Sequence, residues 1–225
     1  MVQVMEKIKL SKQTLDYIGS FANINPSMLF KPGNVLYTIS EIGDVMAAAE
    51  IEEEIPCEFG VHDLSKFLSI LSTFNNPELN FANDYIVIKQ ENSSRKYKYR
   101  YCAPNMIKFP TKTHYNIENP IASFNIQEKT LKDLVKTVSI SGHPEIAFVG
   151  YNNVLTVQAY DDKNANPDSY KEVLSTDIKN EFKVRLKLSK INVLFNKLDY
   201  SVTLSENICN FKGAGITYYI APEGD

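Results

Sequence analysis

The chain has 225 residues, 44% of them hydrophobic and 11% aromatic, with only 9 glycines; this is the composition of an ordinary globular protein, not a disordered or fibrous one, with room for one large or two small domains. A net charge of −3 supplies no general basic field, so any nucleic-acid role has to come from local segregation of charge. Cys57, Cys102 and Cys209 stand far apart with no paired spacing, which excludes a disulfide framework and a zinc knuckle and leaves three reduced, mostly buried thiols as the expectation.

At the N-terminus, "MVQVMEKIKL" places Glu6, Lys7 and Lys9 where a signal peptide needs an apolar core, and no run approaches the roughly 18 apolar residues of a membrane span. A cytoplasmic protein with no membrane partner is expected, and the sequon at Asn92 is then without consequence. The first element ends a strand on Ile8 and Leu10, puts Ser11 at a helix N-cap, and carries Leu15 and Ile18 along one helix face. Strands follow in "VLYTIS" (35–40), where apolar and polar residues alternate. The second junction runs from strand residues Phe59 and Val61 through Asp63 as cap to Phe67 and Ile70.

Next come the strands "YIVIKQ" (85–90) and "RKYKYRY" (95–101). In the latter Lys96, Lys98 and Arg100 share one face and Tyr97, Tyr99 and Tyr101 the other; the pattern suits a strand packed inward by its tyrosines better than a base-stacking platform, which needs both on one face. The stretch 103–120 is punctuated by prolines and has no sustained period, as an interdomain connector would. Beyond it Phe124 and Ile126 lead through Gln127, a poor cap, to a helix with Leu131, Leu134, Val135 and Val138 on one face and Lys129, Lys132 and Lys136 on the other. After "VLTVQAY" (154–160) a fourth junction spans 184–195; either Lys187 or Ser189 can cap it, and only Lys187 repeats the offsets, to Ile191 and Leu194. The chain closes with the strands "YSVTLS" and "ITYYIA". It therefore reads as an α+β protein with antiparallel sheets and four β-α-β-β-type repeats, two per domain.

The four helical segments carry seven bases (Lys12, Lys66, Lys129, Lys132, Lys136, Lys190, Lys197) against four acids (Asp16, Asp63, Glu128, Asp133), although the whole chain has more acids than bases. If these faces share one surface, phosphates are the natural partner, through salt-sensitive contacts blind to base sequence. A solvated helix face is the plainer reading. No GxSxG, Walker A or HExxH motif occurs, and His62, His114 and His143 have no nucleophile and carboxylate in a recognisable pattern. No catalytic, metal or cofactor site is expected; an enzyme reading would rest on Asp161 and Asp162 as a small-molecule hydrolase. A monomeric β-rich nucleic-acid-binding or scaffold protein is the other alternative.

Two segments, "IKLSKQTLDYIGSFANINPSMLFKPGNVLYTIS" (8–40) and "FGVHDLSKFLSILSTF" (59–74), resemble the opening and second helices of the T-even-type bacteriophage DNA polymerase sliding clamp. The close, "ITYYIAPEGD", is similar to the C-terminal strand and tail of the eukaryotic and archaeal clamp, proliferating cell nuclear antigen. The resemblance implies a two-domain DNA-clamp fold, with domains at 1–104 and 121–225 and a connector at 105–120. Sheets would form the outside of a ring and helices its lining, and two domains per chain would imply a homotrimer. It implies a non-catalytic processivity factor that encircles double-stranded DNA without sequence preference, with Lys12, Lys66, Lys129, Lys132, Lys136 and Lys190 facing the DNA. DNA polymerase, an ATP-driven clamp loader and transcription factors of late genes would be its partners, in the cytoplasm of an infected bacterial host. Their peptide tails would enter an apolar pocket to which Ile220, Ala221 and Pro222 contribute, together with Met106, Ile107 and Phe109 of the connector. Subunits would meet by edge-strand pairing through "YKYRY" and "YKEVLST".

Overall fold

The computed structural model describes residues 6–161, 163, 169–176, 178 and 180–224. Four times over, the chain runs strand, helix, then three strands. The first repeat is β1 (Lys7–Ile8), α1 (Lys12–Phe21), β2 (Met28–Phe30), β3 (Gly33–Ile39) and β4 (Val45–Ile55), and the second β5 (Phe59–Val61), α2 (Leu64–Ser72), β6 (Pro77–Phe81), β7 (Tyr85–Gln90) and β8 (Lys96–Arg100). The third comprises β9 (Ala122–Ile126), α3 (Glu128–Ser141), β10 (Glu145–Tyr151), β11 (Val154–Tyr160) and β12 (Lys171–Ser175). The fourth is β13 (Phe182–Lys187), α4 (Leu188–Ile191), β14 (Tyr200–Leu204), β15 (Cys209–Gly213) and β16 (Ile216–Ile220). The chain divides into two compact units, Met1–Thr113 and His114–Asp225, at a boundary inside the connector segment.

Within each unit the repeats exchange their first strands. In the first unit β1 pairs with β6, in a sheet of order β1-β6-β7-β8, while β5 pairs with β2. In the second, β9 lies against β14 in the run β9-β14-β15-β16, and β13 against β10 in the sheet β12-β11-β10-β13. All these pairings are antiparallel. The exchange means that neither repeat completes its sheets alone. It also leaves β8 and β12 as outer strands.

Local chemistry fixes where the helices begin. Ser11 Oγ accepts from the Thr14 amide at 3.2 Å, and Asp63 Oδ1 accepts from the Lys66 amide at 2.8 Å, each satisfying a first-turn N–H that has no partner within its helix. Gln127 makes no capping bond. Its task falls to Asp199, whose Oδ1 accepts from the Glu128 amide at 2.7 Å across 71 residues of sequence. A similar carboxylate stands at α1: Glu53 of β4 accepts from the Ser11 amide and, at 2.5 Å, from the Thr14 hydroxyl. Lys187 takes the cap position of α4, which settles the fourth junction on the frame that buries Ile191 and Leu194. Gly142 closes α3 in the left-handed conformation, where the missing Cβ removes the usual penalty.

The buried stripes are partly those expected. Leu131, Leu134 and Val138 seat α3. In α1 the buried residues are Thr14, Tyr17, Ile18 and Phe21, with Leu15 only half buried, because two aromatic side chains offer more apolar area than one leucine. In α2 they are Leu64, Phe67 and Leu71, and Ile70 is half buried. Among the cysteines only Cys209 is buried, and burial pushes its thiol up to about 12; Cys57 and Cys102 are half exposed. Among the described residues no helix is long and apolar enough to cross a membrane.

Candidate nucleic-acid and partner interfaces

Lys12 opens α1 and Lys66 lies in the first turn of α2; both are exposed. On α3, Lys129, Lys132 and Lys136 fall within about 60° of one another at 3.6 residues per turn, opposite the buried leucines, and all three are exposed. Two of them are engaged along their own helix: Lys129 Nζ reaches Asp133 at 2.7 Å, and Lys132 pairs with Glu128. The hydrogen bond and charge of Asp133 raise the Lys129 pKa, and the reverse interaction lowers that of Asp133. Exposed pairs of this kind contribute little to stability, so the ammonium groups can exchange a carboxylate for a phosphate at little cost. Lys197, exposed after α4, holds its ammonium 5.5 Å from the centre of the Phe195 ring.

Lys190 departs from the DNA-facing set. It is 7% exposed, and its ammonium lies 2.8 Å from the Ala221 carbonyl and 2.6 Å from Glu223 Oε1. Its offset of three from the Lys187 cap corresponds to half-buried Thr130 in α3, a position beside the apolar stripe and not opposite it. The side chain is thereby turned toward the C-terminal segment and is withdrawn from any solvent-facing lysine surface.

The C-terminal candidates differ in access. Ile220 is fully buried at the end of β16, whereas Ala221 and Pro222 are half exposed. Beside them, His114 Nδ1 and the Tyr219 hydroxyl are 2.8 Å apart, and the Tyr115 ring lies 5.2 Å from that of Tyr219. These three residues were not among the sequence candidates; the alternating register of "ITYYIA" is the signal that points Tyr219 and Ala221 to one face. After Ala221 the tail is held at several points. The Glu223 amide donates to the Arg185 carbonyl at 2.9 Å, Glu223 Oε2 stands 3.0 Å from Lys187, and the Arg185 guanidinium donates to the Gly224 carbonyl.

In the first unit the connector candidates also separate. Met106, in a 3-10 turn at Pro104–Met106, is 71% exposed. Ile107 is buried against Gly60, where an added Cβ would come within 2.8 Å of its Cδ1 and 2.7 Å of the Cys102 carbonyl. Phe109 is half buried, edge-on to Tyr37 and beneath the Lys31 ammonium at 4.6 Å. On the outer strand β8 Tyr99 packs against Phe67, and just past its end Tyr101 packs against Phe59, as the inward reading requires. Tyr97 does not: it remains exposed near the start of the strand, bordering a recess of about 420 Å³ with Ile70, Phe74 and Lys66.

The hydrolase reading finds little support in geometry. Asp161 accepts from the Lys163 amide at 3.0 Å, a turn-forming contact, and Asp162 lies outside the described residues. His143 is buried with Nδ1 2.7 Å from the Ser141 hydroxyl. Among the described residues no three His, Cys, Asp or Glu side chains are grouped to hold a metal ion.

A family model described as DNA polymerase processivity factor matches residues 9–101. The chain is 28% identical to the sliding clamp of Vibrio phage KVP40 over 96% of its own length and 99% of the relative's. It is 27% identical to the sliding clamp of Escherichia phage RB69 over 97% and 98%, respectively. Among solved structures, proliferating cellular nuclear antigen of Entamoeba histolytica superposes with a TM-score of 0.75 at 15% identity, covering 100% of both chains. A. fulgidus PCNA, solved with the C-terminal region of FEN-1 bound, gives 0.72 at 13% identity over 98% and 99%.

Proposed function

We infer that this chain is a DNA polymerase sliding clamp of the T-even bacteriophage type, a processivity factor that tethers the polymerase to DNA. The observation that carries the conclusion is the near end-to-end match to phage sliding clamps, joined to a clamp fold of four strand-helix-three-strand repeats. The monomeric scaffold and hydrolase readings have no comparable support, and a non-catalytic role is our reading of the chain.

The mechanism we propose is topological. Three chains, each contributing two units, would close a ring around duplex DNA. The outer strands β8 and β12 favour closure by edge-to-edge pairing, since an outer strand presents a row of unpaired N–H and C=O groups that a second copy can complete. Lys12, Lys66, Lys129, Lys132 and Lys136 would then meet phosphates, many of them through water. Glu128 and Asp133 flank these lysines on the same helix, and their negative charge tempers the attraction to the duplex. Weak contacts suit a ring that must slide.

Partner tails would dock on the half-exposed Ala221 and Pro222, beside Tyr219 and Tyr115; exposed Met106 is a separate candidate contact in the first unit. The relative solved with a bound FEN-1 C-terminal region supports peptide docking as a mode of partner binding. An ATP-driven loader, late transcription factors and action in the cytoplasm of an infected bacterium belong to the same reading. Solution mass tests the ring: the expected species is three times the 25.5 kDa chain, and a strictly monomeric protein at micromolar concentration contradicts it. Reversing Lys129, Lys132 and Lys136 to glutamate should leave that mass intact and depress loading on DNA.

A further inference from the structure

The described residues after β16, 221–224, have no place in a strand ladder, and a segment outside regular pairing ordinarily frays. Here it is clasped. Lys190 binds the Ala221 carbonyl and Glu223 together, Lys187 adds a second cation to Glu223, and Arg185 accepts the Glu223 amide on its carbonyl and reaches Gly224 with its guanidinium. Burying a lysine ammonium is unfavourable unless it is paired and hydrogen-bonded. A leucine at 190 would fill the site without that cost but could not fix the direction of a carbonyl. The geometry therefore favours conformational definition of the tail over simple adhesion. Burial would raise the Glu223 carboxyl pKa, but the hydrogen bonds and charges of Lys190 and Lys187 outweigh it and hold the group below the ordinary glutamate range.

We propose that Lys190 and Glu223 are positioning residues for partner-peptide docking: their latch holds Ala221 and Pro222 in one conformation, so that an incoming peptide meets a preformed edge. The proposal rests on the reading of this segment as a docking surface. Ile220 is sunk in the core, which leaves Ala221 and Pro222 as the part of the group that a peptide can touch. If the segment were loose, a peptide would have to order several residues on binding and would lose affinity accordingly.

The test uses the full chain and a fluorescently labelled synthetic peptide of the cognate polymerase's tail. Lys190→Met keeps the length of the side chain and removes the charge; Glu223→Gln keeps the shape of its side chain and weakens the clasp. Hydrogen exchange at 221–224 should accelerate in both variants, more in Lys190→Met, while circular dichroism and oligomeric mass stay as in the parent. Peptide affinity should fall about tenfold for Lys190→Met and less for Glu223→Gln. Accelerated exchange with unchanged affinity overturns the positioning role. Unchanged exchange overturns the latch itself. A parent protein that binds no peptide, yet shows latch-dependent exchange, overturns the docking reading on which the proposal rests.

Discussion

Helices α3 and α4 occupy equivalent places in consecutive repeats, and each carries a lysine soon after its cap, two residues on at Lys129 and three at Lys190. Their fates are opposite. Lys129 extends into solvent from a helix of 14 residues, whereas Lys190 is sealed beneath the C-terminal segment on a helix of 4. One residue of offset corresponds to 100° of rotation, enough to carry a side chain from the polar face to the margin of the apolar stripe. A long helix also has a full polar face to display, while a single turn is mostly contact surface. A count of lysines in helical segments is therefore a poor guide to which of them meet a ligand, because it discards the register.

The largest test of this contrast is charge reversal. Lys190→Glu would set a second carboxylate at a buried position beside half-buried Glu223 and should cost about 3–5 kcal/mol of folding stability in denaturant titration. Lys136→Glu, on an exposed face, should stay within about 0.5 kcal/mol while weakening DNA loading. Equal losses from the two would erase the distinction. A smaller effect probes how α3 begins: Asp199→Ala should cost about 1 kcal/mol by removing the only capping carboxylate there among the described residues. Gln127→Ala, which removes no capping bond, should be close to neutral in the same titration. If Gln127→Ala were the more damaging, the distant cap would be the wrong account.

Acid should act on the latch alone in a milder way. The Glu223 pKa is depressed in the folded state, so its contribution is fully present above the ordinary glutamate range and is lost as pH falls through the depressed value. Hydrogen exchange at 221–224, corrected for its intrinsic pH dependence, should stay constant from neutrality to mildly acidic pH and rise only below that range. A rise around neutral pH would mean that another group controls the tail.

Much of this was legible in the sequence because it is local. Ser11 and Asp63 announce their helices, and the spacing of Leu131, Leu134 and Val138 gives the buried face of α3. Period-two alternation marks most strands, and the clamp resemblance rests on the same stretches. What escaped is long-range. Asp199 caps a helix 71 residues earlier, and Glu223 recruits a lysine from β13 and one from α4; neither leaves a trace in local spacing. The exchange of first strands between repeats is equally silent, since each strand reads the same whichever sheet receives it. Tyr97 escaped for another reason: alternation assigns a face, but near the start of an outer strand that face need not be covered.

The central claim is that this protein holds DNA by enclosing it, with its lysines guiding and not gripping. Retention after loading, compared on nicked circular DNA and on the same DNA linearised, tests that claim most directly. The account predicts long retention on the circle and rapid loss from the free ends of the linear form; equal retention on both would contradict it.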